Sequence, residues 1–469
     1  LAKTTPRRRT AIEVAMIRTC FAARLGFSLL AASAAVHADD GDADPAFGAN
    51  GRAIHSWPSS YIQSETNAVA TSADGGVLVA GWVSYPAPTQ QDAISLLRFR
   101  ADGTPDSDFG DGGLALFDID PASRIGEAAI GAFALPDGRT LVAARRTVGN
   151  SQQPLLLAVN ADGTPDTAFG TNGLRNIDTA RWAGSRLLFS AALRDANGRV
   201  LLAGTVADGV TFDALVVRTL ANGNVDASFG DLGWTRIHAD GRLTATALAL
   251  DDLGRVIVSG RAFDNTFDQP MVARLDAYGT PDISFGDGGL VLVDTGMTGN
   301  WSADAVASAV RPVAGIFVQR RIFIAISRGL PYLTGVFALA NDGSIATSFA
   351  NDGFLDLSRE EGSHIAALAM RRDLRLVAAG WIDPNGAGTS DFFVARASFD
   401  GVLDSTFDGN GVARYPMNAD GDTYDTPGAM VLSGERPVIA GKLYNNHTPS
   451  YHSGVLRLRS DALFADGFD

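Results

Sequence analysis

The chain of 469 residues contains one cysteine, Cys20. It therefore forms no disulfide within itself, no four-cysteine zinc site and no iron–sulfur cluster. Lysine is almost as scarce, with Lys3 and Lys442 its only two copies. The 38 basic residues face 52 acidic ones, a formal net charge of −14. That balance argues against nucleic acid as a partner, because phosphate binding rests on Lys and Arg. No His-Glu-x-x-His, Gly-x-Ser-x-Gly, phosphate loop or dinucleotide fingerprint occurs. No segment is long and apolar enough to span a bilayer. What the chain does have is 46% hydrophobic residues, too many for a disordered tail, and 52 glycines without the period of collagen.

The first forty residues differ from the rest. Residue 1 is Leu, and Met16 reads as the true start. Arg18 and Arg24 precede an uncharged stretch from Leu25 to Val36, which ends Val36-His37-Ala38 before Asp39-Asp40. A basic segment, a short apolar core and a small-x-Ala site describe an export signal. Residues 1–38 are therefore expected to be cleaved, leaving a secreted, periplasmic or cell-surface protein. Cleavage removes Cys20, six basic residues and Glu13, and takes the net charge to −19.

Self-similarity organises what remains. The phrase Asp102-Gly103-Thr104-Pro105-Asp106-Ser107-Asp108-Phe109-Gly110 returns in variants whose marker phenylalanines are Phe47, Phe109, Phe169, Phe229, Phe285, Phe349, Phe407 and Phe464. Eight markers bound seven intervals of about 60 residues. Each interval reads as four strands. An Ala-rich strand meets a return strand through a turn such as Asp74-Gly75, Asp137-Gly138 or Asn197-Gly198, a strong hairpin signal. Return strands such as Val77 to Ala80 are expected to end near the glycine that follows.

The expected fold is all-β: a seven-bladed β-propeller, 39–464, with four antiparallel strands per blade and a short tail, 465–469. The sequence opens on a lone strand, Arg52 to Trp57, and closes after a third strand. One N-terminal strand would complete the last blade and close the ring, leaving no free edge.

The phrases Asp-Gly-x-x-Asp-x-x-Phe-Gly-x-x-Gly with a preceding Arg-x-x-x-Asp-Gly resemble the delta-60 repeat of bacterial exported proteins. The resemblance covers residues 44 to 464. It implies propeller-like repeats and implies no activity and no catalytic residue. Ala346 and Ala350 depart from the pattern, and the fifth repeat, with Arg320-Arg321 in its hairpin, reads as irregular.

The near-constant turns are expected on one face as structural elements. Arg98, Arg218, Arg274 and Arg396 are expected to pair with Asp106, Asp226, Asp282 and Asp404, because a buried charge needs a partner. The fifth repeat has Ala338 and Ala346 instead, and the second has Ala158 with Asp166. Variable loops are expected on the opposite face, where function concentrates. The residue following each second strand forms a notional ring there, Trp82, Arg145, Thr205, Arg261, Ser327, Trp381 and Lys442. Glu127, Arg186, Asp304 and His364 join Trp82, Arg145, Trp381 and Lys442 as candidate ligand contacts. The loop containing Asn418, Asp420, Asp422 and Asp425 has oxygen side chains spaced to wrap calcium, though it lacks the usual glycine and the twelfth-position Glu. No other cofactor is expected. Three functions stay open: a monomeric exported scaffold binding a protein or glycan, a hydrolase or lyase acting on a polysaccharide or ester at an acidic central funnel, or a purely structural surface protein.

Overall fold

The computed structural model describes residues 41–459, except 87–91, 121–125, 297–298, 314–317, 329–332, 351, 359–361, 384–388, 418–422 and 446–449. The expected export signal, the C-terminal tail and three of the four calcium candidates, Asn418, Asp420 and Asp422, lie outside the described residues.

Among the described residues the regular structure is strand, apart from one 3-10 turn at Ala180–Trp182. In the first repeat, Gln63–Thr71, Val77–Ser84, Asp92–Phe99 and Leu114–Phe117 form an antiparallel meander in chain order. The same meander restarts at Glu127–Ala134, Arg186–Arg194, Arg242–Leu250, Trp301–Pro312 and Ser363–Met370. A single parallel bridge, Phe212 to Arg242, joins the third and fourth repeats into one eight-stranded sheet. The last sheet takes Thr423–Ser433, Arg436–Asn445 and Ser450–Arg457 from the C-terminal end. Its fourth strand is Arg52–Ser56, antiparallel to Ser450–Arg457 with Arg52 opposite Leu456.

Cores form between consecutive sheets, as strands apolar on both faces require. Leu78, Ile94 and Leu96 of the first repeat pack with Val142, Leu155 and Leu157 of the second. Val79 and Leu97 of the first pack likewise with Val438 and Val455 of the last. Phe47, Phe109, Phe229, Phe285, Phe349 and Phe407 are buried in these layers.

The first strand of every meander carries a bulge at the same place, between Thr66 and Ala68 in the first repeat and between Ile365 and Ala367 in the sixth. The recurrent glycine of the second strand faces it. A Cβ on Gly81 would lie 1.8 Å from the carbonyl oxygen of Glu65, and one on Gly380 equally close to that of His364. The glycine therefore marks the bulge, and the second strand runs beyond it instead of ending there. Bulged side chains reach the next repeat: Asn67 Nδ2 donates to Ala129 O at 3.0 Å and Ser190 Oγ to Ala245 O at 2.6 Å.

The turn arginines pair as expected. Arg98–Asp106 is 3.0 Å, Arg218–Asp226 and Arg274–Asp282 are 2.8 Å, and Arg396–Asp404 is 2.9 Å. Arg457–Asp44, at 2.9 Å, gives the last repeat the same pair from opposite ends of the chain. Each guanidinium does more than neutralise. Arg218 Nη1 donates to Ala277 O of the next repeat at 2.6 Å, and its plane lies 4.5 Å from the centre of the Phe229 ring. The two exceptions are resolved by a second recurrent arginine, at the start of the return strand. Arg139 reaches Asp166 where Ala158 offers nothing, and Arg321 donates to Phe399 O at 2.5 Å where Ala338 and Ala346 have removed the pair. Among the described residues no guanidinium covers Phe169 in the second repeat, and that ring alone among the described markers is only half-buried.

Candidate functional site

At the sheet ends opposite the hairpins, the proposed ring positions lie inside second strands and not after them. Trp82 stands in Val77–Ser84 opposite Glu65, Arg145 opposite Ala128, Arg261 opposite Thr244, Ser327 opposite Ser302, Trp381 opposite His364 and Lys442 opposite Thr426. The second repeat has no long loop here, because Thr140–Val148 and Ser151–Val159 meet across Gly149 and Asn150.

Several candidates join neighbouring repeats. Lys442 Nζ donates to Glu65 Oε1 at 2.6 Å, linking the last repeat to the first. Arg145 Nη1 donates to Phe189 O of the third repeat at 2.7 Å, and burial lowers its pKa. Trp82 is half-buried, and Arg186 lies exposed opposite Ala207. Neither lines the cleft described below.

Glu127 and Asp425 turn out to be equivalent. Each occupies the same place in the first strand of its meander, shortly before the bulge, Glu127 opposite Arg146 and Asp425 opposite Leu443. Each accepts a backbone N–H from eight residues upstream. Ile119 N donates to Glu127 Oε2 at 2.9 Å, and Met417 N donates to Asp425 Oδ2 at 3.1 Å. Both carboxyls fix the segment leading into the strand. Burial, with Asp118 adding to it, pushes the Glu127 carboxyl up to about 7. Asp425 is fully buried in this role, so the expected calcium loop has one of its oxygens committed to the backbone.

The sixth repeat shows a different arrangement. His364 stacks parallel to Trp381 with ring centres 6.0 Å apart. Its Nε2 lies 3.1 Å from Oδ2 of Asp304, the bulged residue of the fifth repeat, and Ser302 Oγ donates to the same oxygen at 2.5 Å. With Nε2–H donating to the carboxylate, Nδ1 is left as an acceptor in the neutral ring. Ser302, His364 and Trp381 border a cleft of about 260 Å³, lined by the fourth, fifth and sixth repeats. Arg261 enters from one side, and Trp301, Ser327 and Arg328 form the middle. Four polar atoms of the lining are buried without a hydrogen-bond partner: Trp301 Nε1, Ser327 Oγ, Arg328 Nε and His364 Nδ1. Buried polar groups are rarely left so.

Ser302 bonds the carboxylate and not the imidazole, so the three side chains are not wired as a Ser-His-Asp relay. Among the described residues no group of three or more His, Cys, Asp or Glu side chains could hold a metal ion. Sequence reasoning singled out Arg261, Ser327, Asp304, His364 and Trp381 and missed Trp301 and Arg328. Aligning the repeats would have found both. Where the fifth repeat pairs Trp301 with Arg328, the third pairs Leu187 with Val206 and the fourth Leu243 with Ala262.

The model of a β-propeller domain family of unknown function (DUF5122) matches residues 72–109, 135–169, 196–229 and 375–407. The chain is thus built of β-propeller repeats. No curated protein matches it. Among solved structures it is similar to a Trypanosoma rangeli sialidase mutant displaying trans-sialidase activity, with TM-score 0.43 and 10% identity over 87% of this chain and 57% of that one. It thus spans little more than half the length of that sialidase. The polysaccharide lyase Uly1 gives TM-score 0.46 and 9% identity over 84% of this chain and 90% of that one. An α-L-arabinanase of Penicillium chrysogenum gives 0.36 and 9% over 86% and 96%. At these scores the likeness carries nothing about substrate. Among the described residues no helix is long and apolar enough to cross a membrane.

Proposed function

We propose that the chain is an exported, non-catalytic, seven-bladed β-propeller of the delta-60 repeat kind that binds a glycan through its variable-loop end. The meander recurs with one bulge and one turn chemistry throughout. The N-terminal strand completes the C-terminal sheet, and the first and last repeats share a core, which supports a closed ring. The basic and apolar order of residues 16–38 supports export.

The observation that carries the binding reading is the cleft itself. Four unsatisfied buried polar atoms gather in this cleft beside Trp381, a half-buried aromatic. An aromatic face with convergent polar groups suits a polar ring such as a sugar. A glycan array probed with the purified chain, followed by calorimetry, tests this. Trp381→Ala is expected to lose at least about tenfold in affinity while melting remains cooperative. Turnover of a polysaccharide or ester that His364→Ala abolishes would overturn the non-catalytic reading in favour of the hydrolase or lyase.

A further inference from the structure

We propose that the cleft between the fourth, fifth and sixth repeats selects an anionic sugar, one carrying a carboxylate or a sulfate ester. This rests on the reading of that cleft as a glycan site and adds the chemistry of its ligand. The lining is rich in donors. Trp301 Nε1–H and Arg328 Nε–H can only donate, and both are without an acceptor. Ser327 Oγ is a third free donor. Arg261 is held only loosely, its Nη1 lying 3.9 Å from Asp268 Oδ2, and its side chain is 45% exposed. The lining sets two guanidiniums, Arg261 and Arg328, against one carboxylate, Asp268, while the neighbouring Asp304 carboxylate is taken up by Ser302 and His364. A neutral sugar would offer the Arg328 guanidinium no charged acceptor. An anionic substituent supplies several acceptors at once and matches a planar guanidinium.

The site is also built and not incidental. The Arg328 guanidinium lies over Trp301, 5.6 Å from its ring centre. The backbone yields to it at Gly299, whose φ is +144° and whose place a Cβ would fill at 2.5 Å from Arg328 Nε. Glycine there both tolerates the conformation and admits the side chain. On the far side, the His364 and Trp381 rings offer the flat surface on which a sugar ring rests.

The test is calorimetric titration of the purified full chain at low and moderate salt. The probes are a glucuronate-containing oligosaccharide, its carboxyl-reduced neutral counterpart, and a sulfated oligosaccharide of the same backbone. The glucuronate or the sulfated probe is expected to bind at least tenfold tighter than the neutral one, with weakening as salt rises. Which of the two binds tighter identifies the anionic group. Arg261→Gln, at an exposed position that leaves folding intact, is expected to cut that preference by at least threefold. Arg328→Gln is expected to abolish it. Equal binding of the neutral and charged probes, or preference unchanged in Arg261→Gln, would overturn the anionic assignment and leave the glycan site standing. Absence of binding by all three probes, together with no hit on the array, would overturn both.

Discussion

The two ends of the sheets solve the problem of buried polarity in opposite ways. At the hairpin end, buried arginines meet a carboxylate, a carbonyl of the next repeat and an aromatic ring, as Arg218 does with Asp226, Ala277 and Phe229. When a repeat loses one partner, a second arginine takes over, as Arg139 and Arg321 show. At the loop end of the fifth and sixth repeats, Trp301, Ser327, Arg328 and His364 present buried polar atoms that nothing among the described residues answers. The first arrangement makes consecutive repeats adhere. The second has a cost in stability that a ligand would offset.

Breaking the hairpin end should have the largest effect. Arg218→Ala leaves Asp226 buried without its partner and is expected to destabilise the fold by about 3–5 kcal/mol, read from urea denaturation. Next comes the bulge that connects the two ends. Gly380→Ala forces a Cβ into the carbonyl of His364 and is expected to cost about 1–3 kcal/mol while shifting His364 within the cleft. A smaller effect follows from Glu127. Its carboxyl titrates near 7 in the folded chain and near 4.5 when unfolded, so the folded state binds the extra proton between those values. Its contribution is complete below about pH 4.5 and is lost as pH rises through 7. Melting temperatures of wild type should therefore fall relative to Glu127→Gln across that window. The smallest change is expected for Lys442→Ala, which removes a partly exposed pair and should cost less than about 1 kcal/mol by the same denaturation.

The hairpin end was legible in the sequence because it is repeated. Seven noisy copies of one phrase constrain each other, and the Arg–Asp pairs emerge at 2.8–3.0 Å as their spacing implied. The substitution of Arg321 for a missing pair was not legible, since it depends on which neighbour a long side chain can reach. Recurrent glycines such as Gly81 misled the reading of strand ends, because close backbone approach and chain termination favour the same residue. Glu127 and Asp425 looked like ligand contacts through their charge alone. Their burial and backbone partners exist only in the fold. Trp381, His364 and Asp304 were visible as residues, but their meeting across a repeat boundary, 60 residues apart for Asp304 and His364, was not.

The joint between chain ends also bears on the order of events in folding. Asp44 and Arg457 are separated by 413 positions, and Arg52–Ser56 has no partner strand until Ser450–Arg457 exists. During synthesis the first strand must wait for nearly the whole chain. Earlier sheets can form from neighbouring segments, but the final one is a long-range event whose loop closure makes it slow. Until then the first repeat keeps Val79 and Leu97 without the apolar layer that Val438 and Val455 provide. An apolar face left open until that closure is the kind of surface that favours aggregation.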